Sequence, residues 1–77
     1  MNKRRKLARV GDRIEYTSRY KILTGTVVKR TGEYLEVALD LPRELFDYEK
    51  TFKATADPMK DTVYLHSIYH IKEYGDG

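Results

Sequence analysis

The 77-residue chain has no cysteine, no tryptophan, two prolines, two histidines and two phenylalanines. Without cysteine there are no disulfides and no thiolate metal sites, which fits a reducing cytoplasm. A domain of this size buries only about 60% of the surface its unfolded chain exposes. A core this small, without staples, seldom supplies more than ~3–5 kcal/mol. Long hydrophobic runs are lacking as well. Residues 1–9 are charged like the start of a signal peptide, yet Val10-Gly11-Asp12-Arg13 follows with no apolar run of about 7–15 residues. The expectation is a cytoplasmic chain that neither leaves by that route nor spans a membrane.

A catalytic constellation is also missing. Ser18 and Ser67 stand in no nucleophile motif, and the carboxylates are scattered singly through charged sequence,. No catalytic residue is assigned, and the expected chain is not an enzyme. His66 and His70 are four apart, a spacing that converges on a metal from a helix but not from the extended or tightly turning backbone expected here. No metal and no cofactor are expected, and His66 reads as structural, its ring bonding backbone near the last turn.

What is present is a strand pattern. Leu35, Val37 and Leu39 alternate with Tyr34, Glu36, Ala38 and Asp40, and Ile14 and Tyr16 alternate with Arg13 and Glu15. This period of two marks strands with one buried face. Thr31-Gly32-Glu33 supplies a tight turn between the second and third strands,. Gly25 predicts a bulge or a close backbone approach, and Val27 and Val28 point to opposite faces unless a bulge intervenes. Leu41 to Tyr48 predicts one or two helical turns, with Asp40 near the N-cap, Pro42 in the first turn, and Leu41 and Leu45 on a shared face that plugs the interior. Residues 49–55 read as a further strand or an extended return, and 56–61 as a turn before Pro58 and after it. Val63 and Leu65 face inward from the next strand, and Ile68 and Ile71 flank a tight turn into a short last one.

The fold expected is mainly β: a small five-stranded barrel with a short helical or irregular insertion. Residues 1–8 form a basic arm, 9–74 the barrel and 75–77 a frayed end.

Val10-Gly11-Asp12, Ile14, and Gly25-Thr26-Val27 after a polar loop resemble the start of KOW-type and other SH3-like barrels. The ending Thr62, Val63, Tyr64, His66, Tyr69 and Ile71 is similar to the T-V-V-x-H-x-x-Y-x-I pattern of the YkvS-like proteins, small uncharacterised proteins of Gram-positive bacteria. The resemblance covers residues 10–72, with Leu65 where that family has a polar residue and Arg30 where it has an aliphatic one. It implies an SH3-like barrel, and through the KOW likeness an association with RNA, DNA or the ribosome. It implies no activity.

The net charge of +3 conceals an asymmetry. Residues 1–30 carry ten Lys and Arg against Asp12 and Glu15, whereas residues 31–77 carry five against ten acids. A partner feels the local field. Two readings follow. In the first, a nucleic-acid module, Lys3, Arg4, Arg5 and Lys6 of the arm and Arg19, Lys21, Lys29 and Arg30 of the folded part hold phosphates, while Tyr20 or Tyr34 stacks on an unpaired base. This requires one connected basic face. In the second, a protein-interaction module or small homodimer, the chain uses a tyrosine-lined surface or an open strand edge. Tyrosine serves either, and of the seven three, Tyr16, Tyr64 and Tyr69, read as core margin and three, Tyr20, Tyr34 and Tyr48, as partner contacts.

Overall fold

The alternating segments form an antiparallel sheet whose first four strands follow the chain as a meander and whose last strand returns beside the first. In the computed structural model, which describes residues 6–52 and 56–72, β1 (Arg13–Ser18), β2 (Lys21–Thr31) and β3 (Tyr34–Leu39) precede α1 (Asp47–Phe52), β4 (Lys60–Tyr64) and β5 (His70–Lys72). The strand order is β4-β3-β2-β1-β5, and every pairing is antiparallel. The protein is thus mainly β, with five strands and one short helix. The sheet is open, with β4 and β5 as its two edges.

The core lies on one face of the curled sheet. Ile14, Tyr16, Val27, Leu35, Val37, Leu39, Val63 and Leu65 are buried there, with Leu23, Tyr69 and Ile71 packed against them. These are the inward positions that alternation predicts. Ala8 belongs to the same core, and its N–H donates to the Tyr69 hydroxyl at 3.1 Å. The packed chain therefore begins within the expected arm, whose residues 1–5 lie outside the described residues, as does the expected frayed end at 75–77.

Gly25 marks a close approach and Val28 the bulge. A Cβ on Gly25 would stand 2.5 Å from the Ala38 carbonyl oxygen and 2.7 Å from Val37 Cγ1, so β3 crosses where a side chain would sit. The β2–β3 register slips between Val27 and Lys29. The extra residue is Val28, and from there on every residue of β2 is exposed,.

Two expectations for the middle of the chain are corrected. The helix is Asp47–Phe52, and Leu41 to Phe46 is irregular. Arg43 explains this: its N–H donates to the Pro58 carbonyl at 2.8 Å and its Nε to the Lys60 carbonyl at 2.6 Å, so the backbone is tied to the segment entering β4 and not to its own next turn. Glu49 then starts the helix, its carboxylate reaching back to the Phe46 N–H at 2.8 Å, the glutamate half of a capping box. Residues 49–52 are helical, not extended, and 53–55 lie outside the described residues. Leu41 is 74% exposed and does not plug the interior. Tyr64 is the other departure. It is exposed, because its register partner is Tyr34 on the outer face.

Candidate interaction surface

β1 and β2 are joined by two residues, Arg19 and Tyr20, with φ of +52° and +68°. Two consecutive positive φ values characterise the type I′ hairpin turn, whose twist matches the flanking strands and which asparagine and glycine normally occupy. In side-chain-bearing residues the left-handed region costs roughly 1–2 kcal/mol each. Arg19 recovers part of this cost: its guanidinium lies 4.5 Å from the centroid of the Phe46 ring and reaches the Leu45 carbonyl at 3.4 Å. Tyr20 is fully exposed. A strained turn thus holds an aromatic ring out in solvent.

Beside this turn lies a row of aliphatic side chains. Ile22 is 68% exposed and Ile68 is 87% exposed. Together with Tyr16, Thr17 and Tyr69 they line a cleft of about 490 Å³. Ile22 also borders a smaller hollow with Leu41, so the row runs from Ile68 through Ile22 to Leu41. Period two explains Ile22: Leu23 packs against the core, which sends its neighbour outward. The cleft opens where β5 begins: β5 pairs with Arg13, Ile14 and Glu15 of β1, His70 standing opposite Glu15, and the remaining end of β1 is left as an edge. Around the row the charges are matched with one another, Lys21 with Glu44 at 3.4 Å and Lys72 with Glu15 at 4.0 Å. An apolar centre with a paired polar rim is the anatomy of a protein-binding patch.

The basic residues singled out on the folded part of the chain do not gather in one place. Arg19, Tyr20 and Lys21 sit at the start of β2 and Lys29 and Arg30 at its far end, about 25–30 Å away at strand rise. Lys29 stands opposite Glu36 and Arg30 opposite Leu35, on opposite faces of the sheet. Arg30 Nε donates to the Gly32 carbonyl at 2.7 Å. Lys6 is exposed. The segment that follows it meets Tyr69 through the Ala8 N–H at 3.1 Å and the Val27 carbonyl of β2 through the Gly11 N–H at 2.7 Å. Lys3, Arg4 and Arg5 lie outside the described residues. Tyr34 faces outward and packs on Tyr64, and Tyr48 stacks on Phe46.

Sequence reasoning missed Ile22, Leu41 and Ile68 as surface features. The outward isoleucine beside an inward leucine was the available signal. Among the described residues no group of His, Asp and Glu is placed to hold a metal ion, and no helix is long and apolar enough to cross a membrane. Comparisons with protein-family models, with curated proteins and with solved structures find no match.

Proposed function

We propose that this chain is a small, non-catalytic protein-interaction module of the SH3-like type, which docks a partner on the Ile68–Ile22–Leu41 row with Tyr20 as its anchor. The observation that carries this is the exposure of three large aliphatic side chains in one continuous row. Leaving them in water costs roughly 1.5–3 kcal/mol apiece relative to burial, and a partner that covers them recovers it. Aromatic anchors beside an apolar centre are the usual hot spots of such contacts. The nucleic-acid reading draws less support, since its folded cations lie at two ends of β2 and those at the turn already have acidic, aromatic or backbone partners.

Benzophenone-bearing phenylalanine placed at position 20 tests the proposal in cells. The expected result is a discrete protein cross-link that disappears when Ile22 and Ile68 are both changed to serine, with unchanged thermal stability. A cross-link removed by nuclease, or a protein cross-link indifferent to the double serine variant, would refute it.

A further inference from the structure

The outer face of the sheet carries a second feature, which begins at the end of β2 away from Ile22, where Tyr34 pairs with Thr31, and reaches His66, two residues before Ile68. The register sets Tyr34 of β3 directly across from Tyr64 of β4, with ring centroids 5.5 Å apart and planes tilted by 56°. The His66 ring meets Tyr64 edge-on at 5.4 Å. All three rings are about half exposed, and none is part of the core.

A carboxylate stands against this row. The Tyr64 hydroxyl donates to Glu33 Oε1 at 3.4 Å, and Glu33 Oε2 lies 3.6 Å from His66 Nε2. The negative charge of Glu33 is the main influence raising the Tyr64 phenol above its ordinary value, so its field is felt at the ring. Lys29, on the same face, stands opposite Glu36 in the register, and the Arg30 guanidinium is turned to the Gly32 carbonyl at 2.7 Å.

Ring faces present negative charge and attract cations. A carboxylate does the same and repels phosphate. We infer that Tyr34, Tyr64, His66 and Glu33 form a binding site for an organic cation, the guanidinium or alkylammonium group of an arginine or lysine side chain on a partner protein. The cation lies against an exposed tyrosine face and Glu33 supplies its counter-charge. This site recognises a charged group, whereas the aliphatic row covers apolar surface.

The test is an NMR titration of the full chain, read at the aromatic side chains, with N-acetyl-arginine amide and N-acetyl-trimethyllysine amide, and separately with a short oligouridylate. The ring signals of Tyr34, Tyr64 and His66 are expected to shift together and saturate with at least one cation. Glu33→Gln, at an exposed turn position, should weaken that binding about threefold, the scale of one exposed charge contact, and Tyr34→Leu should weaken it further. The oligonucleotide should leave these signals in place. Rings unmoved by both cations, or an affinity indifferent to Glu33→Gln, would overturn the inference. So would oligouridylate shifting the same rings more tightly in the Gln variant, which would make the row a base-stacking surface.

Discussion

The hydroxyl of Tyr16 on β1 donates to the Asp61 carboxylate of β4 at 2.7 Å, joining two strands that share no backbone pairing. Asp61 lies in turn 3.8 Å from Arg43 Nε, and Arg43 holds Glu49 through two bonds of 2.9 and 3.0 Å. A chain of polar side chains thus runs from the middle of the sheet to the start of α1. It ties the irregular 41–46 segment to the curled sheet, where apolar side chains are too few to do so.

Tyr16→Phe removes the donor while keeping the ring. Stability is expected to fall by about 1–2 kcal/mol, since Asp61 loses a partner in a half-buried site. Burial first, and then the bond to Asp61, raises the Tyr16 phenol above its ordinary value. The unfolded chain therefore loses this proton first as pH rises, and the contribution of Tyr16 is complete below about pH 10 and declines above it. Urea denaturation at pH 7 and pH 11 should show the gap between wild type and variant narrowing at the higher pH.

Arg43→Met should cost more. It leaves the buried Glu49 without its guanidinium, and breaking one half of a buried pair costs about 3–5 kcal/mol. Hydrogen exchange should show the Glu49 and Lys50 amides, which donate to the Phe46 carbonyl, losing protection before those of β2. Uniform loss across the sheet would indicate that Arg43 supports the whole fold and not this segment.

Gly25→Ala is a test of close packing. The added methyl meets backbone at the Ala38 oxygen and at Leu39 Cα, 2.5 and 3.0 Å away, and neither can swing aside. Overpacking of this kind costs about 1–3 kcal/mol or more. With a core this small, a thermal melt should show a drop of at least about 5 °C; an unchanged melting temperature would mean that β2 and β3 are less closely apposed.

At the hairpin, stability and binding are expected to move in opposite directions. Tyr20→Gly relieves a left-handed side-chain-bearing residue that makes no buried contact. The gain should be about 0.5–1 kcal/mol, reduced from the full strain by the extra freedom glycine brings to the unfolded chain. The same variant should lose the protein cross-linking partner captured in the Ile22 and Ile68 experiment, measured with the photoprobe moved to position 41. A variant that is both more stable and fully competent would remove Tyr20 from the interface.

Asp40 governs part of the acid limb. Its two bonds from Arg13, at 2.7 and 2.5 Å, hold its carboxyl below the ordinary value, the hydrogen bonding being the main cause. The folded protein keeps that charge to a lower pH than the unfolded chain does. Its stabilising effect is in place above about pH 4 and is lost as pH falls through the depressed folded value. The site is solvent-exposed, so the effect is small, about 0.5 kcal/mol. Asp40→Asn should lower the melting temperature at pH 6 by about 2–4 °C, in proportion, and the gap to wild type should narrow as pH is taken down through the acid range.

Much of the architecture was legible in the order of residues. Alternation in 13–18 and 34–39 names the inward side chains because successive residues of a strand point to opposite faces, and Gly32 marks the tight turn because positive φ is easy for glycine,. Gly25 announces a close approach for want of a side chain. The Arg19–Tyr20 turn was hidden, since neither residue favours the conformation it adopts and the flanking strands impose it. The true helix start at Asp47 was hidden too, because the residues that divert 41–46 are Pro58 and Lys60, far along the chain.

Local patterns thus determined which segments extend and which faces they bury. Only the tertiary structure decided what the outward residues do together. Arg19, Lys21, Lys29 and Arg30 are close in sequence, but β2 separates the first two from the last two by most of its length and sets Lys29 and Arg30 on opposite faces of the sheet. Ile22, Leu41 and Ile68 are distant in sequence and meet in one row, and Glu33 reaches Tyr64 and His66 only through the β3–β4 register. A strand's own period says which way a side chain points; which side chains it meets is set by backbone hydrogen bonds to strands elsewhere in the chain.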